Sequence, residues 1–332
     1  MHRIAISLIA LVLTAPAFAQ QKVSLEHKYV PGQYVLTMDQ RAKTTTSMMG
    51  QRIPSDVTME TAAQIDVSKP DDKGNKTIKF TYKRVTQTVD AGGMRMSFDS
   101  AKKDQTPSPL ASMGKMVGST ITMTVDKDGK VTKVEGVDEM MDKMTEGNPA
   151  AAGMMKDMKK QFGPEAMAQM ISSSRQFLPE KPVAPGESWT SSATIPMPMI
   201  GEAKTEMKNK LTEVKKVDGR EMAAIAFEGT TKSEGGEAVG DENVQMKMSS
   251  MDIKQKGTVL VDTENPMIQQ STMSQKGTMT MSAGAAQGQE MQMKIEMDGT
   301  TRTSVKPGVY KEPKDEDKGE TDKAPRAAED TL

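Results

Sequence analysis

Ile121-Thr122-Met123-Thr124-Val125-Asp126-Lys127-Asp128-Gly129-Lys130-Val131-Thr132-Lys133-Val134 sets two alternating apolar and polar runs on either side of an Asp-Gly pair. Alternation with a period of two sends successive side chains to opposite faces of a strand. Asp-Gly between two such runs signals a β-hairpin. The pattern extends in both directions along the chain. Ile78-Lys79-Phe80-Thr81-Tyr82 and Met94-Arg95-Met96-Ser97-Phe98 precede it, and Met246-Lys247-Met248, Met279-Thr280-Met281 and Met291-Gln292-Met293-Lys294-Ile295-Glu296-Met297 follow. Val217-Asp218-Gly219-Arg220 and Glu264-Asn265-Pro266 mark turns between such runs, while 233–241 and 283–288 read as longer loops. These strands carry Met, Val or Ile on one side and Thr, Lys, Gln or Glu on the other, so one face of the sheet is wet and the other must be covered.

The middle of the chain changes period. Met140, Met141 and Met144 fall at helical spacing, as do Ala151, Met154, Met155, Met158 and Phe162, and then Met167, Met170, Ile171, Ser174 and Phe177. The expectation is an α+β fold, mostly antiparallel β: a curved, open-barrel-like sheet with a three-helix insert. Residues 20–137 form a first β region, 138–178 the helical insert, 179–310 a second β region in the same domain, and 311–332 a charged, disordered tail. A weak internal echo runs through both β regions. Pro31-Gly32-Gln33-Tyr34 is matched by Pro185-Gly186-Glu187-Ser188-Trp189, and Gly118 to Asp126 by Gly257-Thr258-Val259-Leu260-Val261-Asp262. Shared turn chemistry or duplication accounts for it.

Composition excludes several functions. The chain has 332 residues, 44 Lys+Arg against 45 Asp+Glu, two His, no Cys and 32 Met. A formal charge of -1 supplies no global field for nucleic acid, and one Trp, four Tyr and six Phe are too few to bind bases or sugars mainly by stacking. Without cysteine there is no disulfide, thiolate zinc site, iron–sulfur cluster or cysteine-linked lipid anchor. The start of the chain has the parts of a secretory leader: His2 and Arg3, an apolar run from Ile4 to Leu13, then Ala17-Phe18-Ala19. That run ends well short of the ~20 residues a membrane-spanning helix requires. Residues 1–19 are therefore expected to be removed, leaving a periplasmic or secreted product that does not span a membrane.

About ten strands some 20–25 Å long and ~4.8 Å apart present an apolar face on the order of 1,000 Å². Three helices about 18 Å long and 10 Å wide shield roughly half of it. The remainder must curl on itself or hold something apolar. The methionine thioether is unbranched, polarizable and adaptable, so a hollow lined by Met123, Met140, Met144, Met154, Met158, Met246, Met248, Met279, Met281, Met293 and Met297 would accept a lipid or another apolar molecule. Met equally serves as ordinary core filling or as an oxidisable sink. A different chemistry is offered by Met140-Met141-Asp142-Lys143-Met144 and Met154-Met155-Lys156-Asp157-Met158. Soft thioethers select Cu(I), and this spacing gathers Met140, Met141 and Met144, or Met154, Met155 and Met158, on one side of a helix. A protein-binding envelope scaffold is the third class.

Catalysis finds little support in the residues. Once the leader is removed His27 is the only histidine, and it has no attached nucleophile motif. Pairs such as Glu60 and Asp66, or Asp138 and Glu139, read as solvated charge. Gly92-Gly93 and Gly235-Gly236 lack a following helix and Lys-Ser/Thr, so they are turns and not phosphate loops. Asp126 to Gly129 has the start of a calcium loop without its closing Glu. No cofactor, and no enzyme, is expected.

The leader, the Pro-Gly-x-Tyr opening, the Val-Asp-x-x-Gly-x-Val hairpin, the helical insert and Leu178-Pro179-Glu180-Lys181-Pro182-Val183-Ala184-Pro185-Gly186-Glu187-Ser188-Trp189 together resemble a bacterial family of exported proteins known only as a domain of unknown function. The resemblance would span nearly the whole chain after the leader, and it carries no catalytic residue. In architecture alone the chain is also similar to periplasmic lipoprotein carriers, which implies a curved open barrel over an apolar cavity covered by helices.

Overall fold

Alternation carried through very long strands builds one sheet. The computed structural model describes residues 22–26, 28–102, 110–146, 168, 178–197, 201–236, 239–240, 244–285 and 290–312. Its strands are β1 (Gly32–Met48), β2 (Gln51–Val67), β3 (Lys76–Ala91), β4 (Met94–Asp99), β5 (Thr120–Val125), β6 (Val131–Glu135), β7 (Ser188–Met197), β8 (Gly201–Val217), β9 (Arg220–Ser233), β10 (Val239–Gly240), β11 (Val244–Asp262), β12 (Gln269–Ala285) and β13 (Glu290–Pro307). Five of these have 17 residues or more beyond the first, so the mean hairpin arm approaches ~55–60 Å at ~3.3 Å per residue, over twice the length expected from the sequence.

The strand order is β6-β5-β3-β2-β1-β13-β12-β11-β9-β8-β7, with β4 beside β3 and β10 beside β11, and the pairings are antiparallel. The first meander thus starts at β1 in the middle of the sheet and grows to one edge at β6. The second starts at the far edge, at β7, and returns to β13. Pairing of β13 with β1, from Tyr34 opposite Pro307 to Met48 opposite Met293, joins the two β regions into a single sheet.

The three-helix insert is corrected. Two short helices are present among the described residues: α1 (Ala111–Gly114), which the periodicity did not mark, and α2 (Val137–Thr145). The latter is the first helix of the expected insert and seals its end of the core with Val137 and Met141. Of the other two, only Ala168 is described, in helical conformation and packed against the core; the rest lie outside the described residues.

Register assigns the two faces. Across β2, β1, β13, β12, β11 and β9, the row Ala63, Leu36, Val305, Gln269, Val261 and Ala223 shares one face, as does the row Thr61, Met38, Thr303, Ser271, Val259 and Ile225. The opposite face carries Asp39, Arg41, Lys276, Asp298 and their neighbours, with exposed pairs such as Lys276–Asp298 at 3.5 Å. Such pairs contribute little to stability. The inner face holds the core. At one end, Tyr34, Ile65, Ile78, Ile121, Val125, Val134 and Val305 pack in one cluster, and Leu25, Val183, Leu211, Ala223, Ile225 and Val261 in a second, with Trp189 against it. A bridge between Val23 and Val183 ties the segment before β1 to the segment before β7.

Four glycines, Gly229, Gly257, Gly277 and Gly299, occupy inner-face positions within three consecutive cross-strand rows of β9, β11, β12 and β13. A side chain at Gly277 would meet the Asp252 carbonyl and lie 2.7 Å from Ile253 Cα. Glycine within a strand marks a bend where backbones approach closely. This band separates the aliphatic end of the inner face from a methionine-rich end.

The sequence echo has a local cause. Asp126 Oδ1 accepts the backbone N–H of Asp128 (3.0 Å) and Lys130 (2.8 Å); Asp262 Oδ1 accepts those of Glu264 (2.9 Å) and Asn265 (3.0 Å). Each aspartate ends a strand and holds the turn after it. Asp262 also receives Arg220 Nη1 at 3.0 Å, and its side chain is 3% exposed. Burial opposes its charge, but the Asn265 N–H, the Arg220 guanidinium and the Glu264 N–H outweigh it and hold the carboxyl below its usual pKa. A depressed folded value means the stabilisation is complete above the unfolded pKa of about 3.9 and is lost as pH falls through the folded value. Asp262→Asn is expected to cost about 1–3 kcal/mol at pH 7. Urea melts at pH 7 and pH 3 should show the gap from wild type closing in acid.

Candidate functional site

The aliphatic end of the inner face is not completely filled. A cavity of about 500 Å³ lies between the two halves of the curved sheet. Leu36, Ile65, Ile78, Phe80 and Met123 from β1, β2, β3 and β5 form one wall. Met207, Ile225, Phe227, Val259 and Val261 from β8, β9 and β11 form the other. Seven strands lie between β5 and β8 in the sheet order, so a flat sheet would hold these walls about 38 Å apart at ~4.8 Å per strand. Their meeting around one hollow requires strong curvature. Tyr29, Leu178 and Met267 close the end nearest the turns.

Its chemistry is uniform. Among the described residues lining the cavity, none is Asp, Glu, Lys, Arg or His. Six are neutral and polar: Asn209, Gln255, Gln269, Ser271, Thr301 and Thr303. Asn209, 2% exposed, donates from Nδ2 to Ser191 Oγ at 3.0 Å, and Gln255 Nε2 lies 3.2 Å from Met207 Sδ and 3.4 Å from Thr231 Oγ1. The carbonyl oxygens of these amides are the natural acceptors for a ligand hydroxyl or amide. Phe80 packs edge-on against Tyr82, ring centroids 5.0 Å apart, and burial raises the Tyr82 phenol pKa. Volume, apolar walls and a few polar groups fit the usual form of a small-molecule site, about 300–1,000 Å³. Two larger, more open hollows of about 960 and 920 Å³ lie over β7 to β13 and β7 to β12 and are bordered by Lys208, Glu228 and Lys256 among others. Their borders mix inner and outer positions, so they are rims of the twisted sheet and not enclosed sites.

The methionines singled out in the sequence are distributed among several places. Met123 lines the cavity, and Met140 packs against the core beside it. Met141 is 6% exposed within that core, and Met144 is half-buried. Met154, Met155 and Met158 lie outside the described residues. Met248, Met279, Met281 and Met293 occupy inner-face positions beyond the glycine band and away from the cavity, Met297 lies in the band opposite Gly277, and Met246 stands opposite Ala283. The cavity's own methionines are Met123, Met207, Met267 and Met273. Its aromatic and branched lining, Phe80, Phe227, Val259 and Val261 above all, is what attention to methionine alone passes over. Val259 and Val261 were legible as alternating partners in Gly257 to Asp262.

Other sequence features fall where bland chemistry puts them. Glu60 and Asp66 sit on the outer face of β2, Asp138 and Glu139 in the first turn of α2, and Gly92-Gly93, with φ of 59° and 82°, in the β3–β4 turn. His27 lies outside the described residues. Among the described residues no group of three or more His, Cys, Asp or Glu could hold a metal ion, and no helix is long and apolar enough to cross a membrane.

The sequence model of a family of unknown function, DUF6263, matches residues 73–268. The chain belongs to this family. The DUF6263 match includes the 121–134 hairpin and the 178–189 segment, and it carries Phe80, Met123, Met207, Phe227 and Val259 of the two cavity walls. It is narrower than the resemblance read from the sequence, since Pro31-Gly32-Gln33-Tyr34 and strands β1, β2, β12 and β13 fall outside it. No curated protein matches the chain in sequence. Among solved structures, one of lipid–protein interactions in lipovitellin is similar at 8% identity over 86% of this chain, with a TM-score of 0.45. The match spans only 27% of the lipovitellin chain. OccK7 of Pseudomonas aeruginosa aligns at 4% identity over 83% of this chain and 100% of its own, with a TM-score of 0.21. A DUF1329 family protein from Desulfovibrio piger aligns at 8% identity over 83% of this chain and 87% of its own, with a TM-score of 0.14.

Proposed function

We propose that the protein is an exported, non-catalytic binding protein that holds an uncharged apolar molecule between the two halves of its sheet. The observation that carries this reading is that, among the described residues, no charged side chain lines the cavity, although charged residues make up 27% of the chain. Burying an ionised head group without a partner is costly, whereas an alkyl chain ending in a hydroxyl, ester or amide meets apolar walls and the amides of Asn209 and Gln255. A neutral lipid or acyl derivative is therefore favoured over a fatty-acid anion or a phospholipid head group. The leader expected at residues 1–19 supports a periplasmic or secreted setting, where apolar molecules must be shielded from water in transit.

The neutral dye N-phenyl-1-naphthylamine tests the reading directly. Its fluorescence should rise on mixing with the full mature chain and fall when a monoacylglycerol competes, with a fatty-acid anion competing less well. Val259→Asp places a carboxylate in the wall and should weaken dye binding at least tenfold, equivalent to about 1.4 kcal/mol. Dye that ignores the wild-type protein, or binds Val259→Asp equally well, defeats the proposal. Mass spectrometry of protein from the host envelope should find a chain beginning at Gln20; an intact leader there removes the export half.

A further inference from the structure

We infer that the methionine-rich end of the inner face is a thioether site for a soft monovalent cation, Cu(I) in the first instance, separate from the apolar cavity. Methionine is sorted within this protein, not spread evenly. Among the described residues, the thirteen buried members of the first core cluster include one methionine, Met141, with Met123, Met140 and Met267 among the seven partly buried residues packed against it, and the second cluster has none at either level. The third cluster reverses this: Met248 and Met251 are buried with Ala203, and Met279 and Met281 pack against them with Ile253. Four of this third cluster's six residues are methionine, a proportion neither of the other two clusters approaches, so four thioethers are concentrated in one place.

Backbone geometry supports the same assignment. Met248 and Met251 are three residues apart on β11, a spacing that in a regular strand sends the two side chains to opposite faces. An irregularity between Met248 and Ser250 inserts the extra residue that turns both inward, Met248 opposite Met281 and Met251 opposite Met279. Bulges of this kind re-aim side chains. The N–H of Gly236 caps the Met248 carbonyl at 3.2 Å beside the irregularity. Directly opposed residues on neighbouring strands have Cβ atoms about 4.5–5.5 Å apart, close enough for flexible thioethers to converge on one ion. Soft sulfur ligands select Cu(I) over the hard cations, and thioethers keep that preference where thiols would be oxidised. Met293 and then Met48, both half-buried, continue the Met248–Met281 row across β13 and β1.

The test is anaerobic competition of the full mature chain with bicinchoninate for Cu(I). Wild type should withdraw one Cu(I) per chain at micromolar copper. Met248→Leu with Met281→Leu keeps apolar volume but removes two sulfurs, and should lose at least tenfold in affinity with an unchanged far-UV spectrum. Met94→Leu, at an exposed position on β4 outside both sites, should leave the Cu(I) affinity unchanged. Independently of any variant, Ag(I) added to protein labelled at the methionine methyls should shift the signals of Met248, Met251, Met279 and Met281 and leave Met207 in place. No competition by wild type, equal affinity in the double variant, or shifts confined to Met140 and Met144 would each overturn the assignment. Dye binding in the cavity is a separate readout, so failure here leaves the carrier proposal standing.

Discussion

Leu211→Ala should lower the unfolding free energy by about 3–5 kcal/mol, the largest effect expected of any single truncation in this protein. Leu211 is completely buried and packs with Leu25, Val183, Ala223, Ile225 and Val261, residues from four separate stretches of the chain. Its backbone is pinned as well: its N–H donates to the Glu187 carbonyl at 3.0 Å and its carbonyl accepts the Gly186 N–H at 2.6 Å. The backbone is therefore held while the side chain is removed, so neighbours cannot collapse into the space and the cavity cost is added to the lost transfer energy. Urea denaturation at pH 7 measures the change. Leu36→Ala, at a half-buried position that already faces the cavity, should cost clearly less. Equal losses at the two positions would mean that the second cluster is no better packed than the cavity wall.

Gly257→Val should both destabilise the sheet, by about 2–3 kcal/mol, and abolish binding of apolar ligands. A Cβ there would meet the Thr272 carbonyl and lie 2.8 Å from Phe227 Cζ and 2.9 Å from Met273 Cα. The backbone atoms cannot retreat without straightening the bend, and Phe227 can yield only by entering the cavity that it lines. Gly257→Ala meets the same first atom but brings no branch, so it should retain part of both properties. Urea melts and the dye titration on the same samples separate the two effects. A valine variant that melts lower yet binds normally would show that the bend matters to stability alone.

Period-two alternation at 78–82, 121–125 and 291–297 was enough to identify strands, and Asp128-Gly129 enough to join two of them, because these depend on local sterics. Strand order was not legible. Nothing in Tyr34 or Leu36 says that the partner strand is the last one in the chain, since that choice rests on which apolar rows fit after folding. Irregularities hide for a related reason. Strict alternation separates Met248 from Met251, and only the register shift reunites them. The glycine band could have been seen: Gly257, Gly277 and Gly299 each sit inside an alternating run, where glycine signals a bend and not a turn. Met123 was legible as a wall residue because it stands on a clear strand, whereas Phe227 carried no such flag within Ala223-Ala224-Ile225-Ala226-Phe227.

The first described strand, whose second neighbour is the last described strand, leaves synthesis with an unsatisfied edge. Until the last described segment emerges, β1 offers a long row of bare amides and carbonyls to any extended peptide nearby. Distant pairing of this kind also slows the search for the native state. Truncation just before Glu290 should thus yield a sticky, oligomer-prone product rather than a smaller soluble sheet, and a holdase that masks extended segments would be a natural companion during biogenesis.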